Sequence, residues 1–307
     1  MVKLERAEGA LLGLAVGDAV GTTLEFAAPG TFEPITDMVG GGPFGLAPGQ
    51  WTDDTAMALC LAESLAECRG VDFADQMRRY VRWYRAGHFS STGAMFDIGS
   101  TTRRALQEFE RTGRVFAGEN DEWSAGNGSV MRLAPLAIWA AARPEVDGVA
   151  LCGTASRTTH GARVAVDACR LLGAIVIGAL RGVSKEELLS PGYAPEREYW
   201  RLQPLCVEVR AISQGSYRVK EPPRIKGSGY AADCVEAALW AFHRSTNFRD
   251  GCLMAANLGD DADTTAAVYG QIAGAYYGVN GIPAEWVMRV AMGEMIRGMG
   301  RGLVGGG

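Results

Sequence analysis

The chain holds 41 glycines, yet its apolar residues recur with the helical period, and a glycine inside a helix costs about 1 kcal/mol relative to alanine. A chain with both properties must place its glycines between helices or where backbones come close together. Stretches 55–65, 96–109, 130–142, 164–180, 231–242 and 266–277 are rich in Ala, Leu, Met and Arg and predict helices. Alternating strand patterns are scarce. Segments 27–50, 112–128, 190–196 and 213–229 carry Gly, Pro and polar residues and predict loops within one domain. The expectation is a single all-α domain over residues 1–304, with a frayed glycine end at 305–307. Many glycines fall where loops meet helices, as in Gly17-Asp18-Ala19-Val20-Gly21, Gly126-Asn127-Gly128 and Gly227-Ser228-Gly229, positions that let a ligand or a neighbouring helix approach the backbone.

Composition narrows the class. Thirty-five acidic residues against 30 basic ones leave a net charge of −5, which argues against a broad basic face for nucleic acid. The seven cysteines lie apart with no CxxC pair, so they read as reduced thiols rather than a disulfide framework. No signal peptide is expected at the N-terminus, and the apolar run 10–20 is broken by Gly13, Gly17 and Asp18, so no membrane span is expected and the reading is cytoplasmic.

Two acidic clusters carry the chemistry. In Trp51-Thr52-Asp53-Asp54-Thr55, Thr52 has the character of an N-cap and two carboxylates fall in the first helical turn, where the helix dipole favours them. Gly259-Asp260-Asp261-Ala262-Asp263-Thr264-Thr265 places three more carboxylates ahead of another apolar helix. On an ideal helix Asp261 and Thr264 share a face while Asp263 points elsewhere, so the three converge only if the cluster straddles a helix start, which Gly259 permits. Gathered without compensation, such carboxylates repel one another; a divalent cation turns them into a site. With no His or Cys in either cluster, zinc is disfavoured. Carboxylate and hydroxyl oxygens suit Mg²⁺ or Mn²⁺, with room for two ions side by side, and an EF-hand calcium loop lacks its twelfth-position Glu.

Further motifs join these two in order: 9–19 running on to Glu25-Phe26, Phe96-Asp97-Ile98-Gly99, Gly126-Asn127-Gly128-Ser129-Val130-Met131-Arg132, Thr159-His160 and Gly227-Ser228-Gly229-Tyr230. Together they resemble the ADP-ribosylglycohydrolases along most of the chain. The resemblance implies an all-α fold with a binuclear Mg²⁺ or Mn²⁺ site whose ligands are Thr52, Asp53, Asp54, Asp261, Asp263 and Thr264. It implies hydrolysis of the glycosidic bond between ADP-ribose and a modified side chain of a protein or small molecule, arginine being favoured and serine or another linkage the alternative, with ADP-ribose released. Glu25 and Asp53 are the implied proton-transfer groups. Some members have glycine where Asp260 stands, so Asp260 is left outside the ligand set.

Asp97 matches the position that faces the guanidinium in arginine-specific members, where a carboxylate makes paired, charge-assisted bonds, although an aspartate at a helix start also suits the dipole. Gly126, Asn127, Gly128 and Ser129 precede a helix and offer backbone N–H groups to a diphosphate. His160 and Tyr230 match positions lining the ADP-ribose cleft; either residue type is also an ordinary packing group. His88 and His243 receive no role. Two other readings stand beside this one. A prenyl-diphosphate enzyme is also all-α and aspartate-rich, but Met57 occupies the place of the third Asp in a DDxxD motif. A catalytically silent binder would be expected to lose metal ligands, and all six are present. Trp83-Tyr84 beside Arg79 and Arg82 is either a partner surface or core, and 217–226 either shapes the cleft rim or is a solvated loop.

Overall fold

The computed structural model of the chain describes residues 2–305. The first half contains α1 (Leu4–Gly21), α2 (Asp53–Glu67), α3 (Phe73–Ala86), α4 (Ser100–Thr112), α5 (Ala134–Ala141), α6 (Gly148–Ser156) and α7 (Arg163–Leu180). After three short helices, α8 (Lys185–Leu188), α9 (Tyr199–Leu202) and α10 (Val207–Ser213), come α11 (Ala231–Arg244), α12 (Phe248–Ala256), α13 (Ala262–Tyr277), α14 (Ala284–Arg289) and α15 (Gly293–Gly305). Among the described residues there are isolated β-bridges but no strand, so the all-α expectation holds, and none of the helices is long and apolar enough to cross a membrane.

The glycines of α1 explain the architecture. Gly9, Gly13, Gly17 and Gly21 recur every four residues and so lie along one face of the helix. A Cβ at each would stand 2.3 Å from the Gly274 carbonyl oxygen, 2.4 Å from that of Gly270, 2.1 Å from that of Ala266 and 2.3 Å from that of Ala262, respectively. As residue numbers rise along α1 they fall along α13, so the two helices are antiparallel and in backbone contact, an approach only glycine allows. The glycines read as breaks in 10–20 are therefore the contact surface of a central helix buried from Ala7 to Gly21.

Other boundaries differ from the sequence expectation for local reasons. Stretch 96–109 becomes helical only at Ser100, because Asp97 takes a left-handed conformation (φ 50) and extended Gly99 is the N-cap. Stretch 130–142 becomes helical at Ala134, with Pro135 in its first turn; the turn before it is held by Gln271 of α13, whose side-chain amide donates to the carbonyls of Val130 (2.9 Å) and Met131 (2.8 Å). Helix α3 was not expected, although Asp72 caps it by accepting from the N–H groups of Ala74 and Asp75, and Gly87 ends it at φ 66. Trp83 on α3 is buried and belongs to the core, not to a partner surface. Gly305, expected in a frayed tail, is the last residue of α15; 306 and 307 lie outside the described residues. All seven cysteines are free, and five of them are buried.

Candidate functional site

The close packing of α1 on α13 brings the two acidic clusters together. Asp18, on α1 beside the Gly17 contact, is fully buried, and its carboxylate accepts from the N–H (2.9 Å) and hydroxyl (3.0 Å) of Thr52 and from the N–H (3.1 Å) and hydroxyl (2.6 Å) of Thr55. Asp18 therefore caps α2 from another helix, while Thr52, in the N-cap position, makes no capping bond of its own. The Thr52 hydroxyl instead also reaches Asp263 Oδ2 at 3.2 Å, and the Thr264 hydroxyl donates to Asp54 Oδ1 at 3.3 Å. Asp261 stands at the N-cap position of α13 with Asp263 just inside the helix, so the second cluster does straddle a helix start.

Carboxylate oxygens of Glu25, Asp261 and Asp263 lie within 4.8 Å of one another, and Asp53 and Asp54 line the same cavity. Burial lifts the carboxyls of Asp53, Asp54 and Asp263 well above the ordinary range, and their mutual repulsion adds to it. Glu25 is raised into the proton-bound form by burial and by the charge of Asp263, whose N–H donates to Glu25 Oε2 at 3.4 Å. Asp97 is pushed up to about 7 by burial and the charges of Asp18 and Asp261. Asp18 rises to about 6 because burial outweighs its four hydrogen bonds. Among the described residues no Lys or Arg forms an ion pair with any member of the group, and buried Asp54 Oδ2 has no hydrogen-bond partner. An all-oxygen donor set with uncompensated charge and an orphaned buried carboxylate oxygen fits a hard divalent cation.

The cavity has a volume of about 330 Å³, within the range of small-molecule sites. Glu25, Asp53, Asp54, Asp261, Asp263 and Thr264 line one end; Gly126, Asn127, Gly128 and His160 line the other. The Asn127 amide ties the two together by donating to Asp261 Oδ2 at 3.1 Å. Gly128 has no room for a side chain, since a Cβ would stand 2.8 Å from His160 Cε1 and 3.0 Å from Thr102 Oγ1. His160 is buried and held neutral, its pKa lowered to about 3 by burial and by the charge of Arg132, and its Nδ1 lies 2.8 Å from the Thr159 hydroxyl. Past Gly126 and Gly229 the cavity adjoins a shallow recess walled by Glu122, Trp123 and Tyr230.

Most of the expected site residues thus line one cavity; Thr52, Ser129 and Tyr230 do not, Thr52 lying buried behind it with its hydroxyl on Asp263. Ser129 turns its hydroxyl into the core, where it accepts from Ser156 at 2.8 Å, so only its main chain is near the loop. Tyr230 borders the adjoining recess rather than the main cavity, and 217–226 contributes nothing to the lining. Asp97 lines the cavity but is no helix-start aspartate. Asp260 is exposed; its left-handed backbone (φ 60), a conformation glycine adopts freely, lets it accept from the Phe26 N–H (2.7 Å) and donate to the Ala27 carbonyl (2.8 Å).

Sequence reasoning assigned no role to Asp18 or Arg132. A lone aspartate in an apolar run was the available signal for the first. Arg132 is buried over the Tyr80 ring, 4.6 Å from its centre, and donates to the Gly128 carbonyl and to the Thr159 hydroxyl, both at 2.6 Å. It therefore anchors both the glycine loop and the segment that presents His160.

The family model for ADP-ribosylglycohydrolase matches residues 1–306. The chain is 49% identical over 294 residues to the ADP-ribosylarginine hydrolase Tri1 of Pseudomonas putida (strain GB-1), spanning 96% of this chain and 76% of that one. It is 33% identical to the ADP-ribosyl-[dinitrogen reductase] glycohydrolase of Rhodospirillum rubrum over 94% of this chain and 91% of the relative. A solved structure titled "ADP-ribosylglycohydrolase-related protein complex" superposes with a TM-score of 0.85 at 45% identity, covering 98% of this chain and 97% of the other. With helices, acidic cluster and whole-length similarity in agreement, the chain belongs to the ADP-ribosylglycohydrolase family.

Proposed function

We propose that the protein hydrolyses the bond between the anomeric carbon of ADP-ribose and the side chain of a modified arginine, releasing ADP-ribose and restoring the arginine of its protein or small-molecule carrier. The observation that carries this reading is Asp97, a carboxylate in the same cavity as the buried acidic cluster with no cation of its own. An arginine guanidinium is the partner that such a carboxylate holds best. The identity to the arginine hydrolases of Pseudomonas putida (49%) and Serratia proteamaculans (44%) supports the same linkage.

In this reading two ions, Mg²⁺ or Mn²⁺, are held by Thr52, Asp53, Asp54, Asp261, Asp263 and Thr264. When bound, such ions supply charge stabilisation to the ribose oxygens near the anomeric carbon. Water adds to that carbon as the C–N bond breaks. The guanidine leaves neutral and takes up the proton that the water loses, so no net proton is consumed. Glu25 and Asp53, at the acidic end of the cavity, are the groups assigned to carry that proton. The backbone N–H groups of 126–129 receive the diphosphate, with neutral His160 packed beside Gly128 at the same end of the cavity. Tyr230 offers a ring face at the far end. The free, mostly buried thiols fit a reducing, cytoplasmic setting.

The test is release of ADP-ribose from ADP-ribosyl-arginine and ADP-ribosyl-serine peptides in the presence of Mg²⁺, Mn²⁺ or EDTA. Metal-dependent release from the arginine peptide is expected. Release from serine alone would overturn the part given to Asp97, and undiminished release in EDTA would overturn the metal site.

A further inference from the structure

We infer that Phe26, backed by Phe44 and Phe96, is a specificity-determining platform on which the face of the modified arginine's guanidinium lies while Asp97 engages its edge. The inference rests on the arginine reading above. Phe26 lines the cavity beside the carboxylates of Glu25 and Asp97 and is 65% exposed, an unusual place for a large apolar ring. Its backbone is left-handed (φ 60), a conformation that bulky residues rarely hold unless the surroundings impose it. The reciprocal bonds between 26–27 and Asp260 impose it here.

The ring is not isolated. It meets Phe44 edge to face with centroids 6.2 Å apart, and Phe44 in turn meets Phe96 at 5.3 Å. Phe96 directly precedes Asp97, which is also left-handed (φ 50). Two strained residues, one aromatic and one acidic, therefore border one cavity and are joined by a row of rings. A planar cation has two recognition surfaces: its N–H edge suits a carboxylate and its face suits an aromatic ring. An arginine glycoside offers both to this lip, whereas a serine glycoside offers neither. The acidic end of the cavity would serve the sugar of either glycoside, so the lip is where the two linkages are told apart.

The experiment measures kcat/KM on an ADP-ribosyl-arginine peptide for the wild-type protein and for Phe26→Leu and Phe26→Tyr, together with inhibition by free ADP-ribose and thermal melting. Phe26→Leu should lower kcat/KM roughly fivefold, the loss of one cation–π contact at a partly exposed site. Phe26→Tyr, which keeps a ring face, should retain most of it, and ADP-ribose should inhibit all three alike. Phe26→Leu at wild-type kcat/KM, or an equal loss of ADP-ribose affinity, overturns the platform. Phe44→Leu is a second probe that removes the backing ring, and it should lower arginine turnover in the same direction; no effect there also counts against the row. A wild-type protein inactive on the arginine peptide overturns the arginine reading and this inference with it, whereas an active wild type with unaffected variants overturns this inference alone.

Discussion

Asp97, half-buried, and His160, fully buried, show how differently polar residues are used in one cavity. Asp97 keeps a carboxylate without a cation, so replacing it with Asn, which tolerates the left-handed backbone, removes the charge and little else. We expect Asp97→Asn to lower kcat/KM on an ADP-ribosyl-arginine peptide by about a hundredfold, the scale of a lost charge-assisted pair, with inhibition by free ADP-ribose nearly unchanged. Equal losses in both would place Asp97 on the sugar rather than the guanidinium. His160 is instead kept neutral at about 3, below its unfolded value of 6.5. The unfolded chain thus binds a proton that the folded one refuses, so the contribution of His160 to stability is full above pH 6.5 and is lost as the pH falls towards 3. Between pH 6.5 and 5 that slope amounts to about 2 kcal/mol. Urea unfolding of wild type and His160→Gln at both pH values isolates it: the variant should lose less stability than wild type on acidification, and equal losses would refute a buried neutral imidazole.

At the scale of elements, the pairing of α1 with α13 positions everything else. It sets Asp18 beside the start of α2 and the start of α13 beside Thr52, so a change in helix separation reaches the acidic cluster directly. Gly17→Ala would put a methyl group 2.1 Å from the Ala266 carbonyl oxygen, a main-chain atom with no rotamer to yield. A destabilisation of about 3 kcal/mol or more is expected, at the upper end of overpacking, together with loss of activity. Gly302→Ala in α15 is the control: nothing lies within 4 Å of its Cβ, and alanine in a helix should be neutral or gain up to about 1 kcal/mol. Thermal melts of the two variants decide the point, and similar melting temperatures would contradict the glycine contact. The spacing of these glycines was visible in the sequence. Its meaning was not, because a four-residue glycine repeat breaks an apolar stretch or builds a groove depending on whether a partner backbone lies against it.

At the scale of the molecule, folding assembles buried carboxylates from α1, the loop after it, α2 and α13 without a counter-charge. Such a site opposes the stability of the metal-free protein and is relieved by a divalent cation. Mn²⁺ at a hundredfold excess over its dissociation constant should stabilise the wild type by about 2.7 kcal/mol. Asp54→Asn should raise the melting temperature of the metal-free protein, since it neutralises a carboxylate with an orphaned oxygen, and should abolish both the Mn²⁺-induced shift and activity. A full Mn²⁺ shift in that variant would remove Asp54 from the ion site.

The sequence by itself determined the helical class and the two acidic motifs with their oxygen-only chemistry. These are properties of residue type and short spacing, and the helical period and the absence of His or Cys from the clusters do not depend on distant contacts. Tertiary structure alone decided that Asp18 caps α2, that Ser129 faces the core, that Arg132 anchors the glycine loop, and that Phe26 is held open at the rim by Asp260. Each of these rests on a contact between residues far apart in the chain or on the direction of a side chain. Local sequence restricts which partners are chemically suitable, but only the packed backbone settles which of them come within bonding distance.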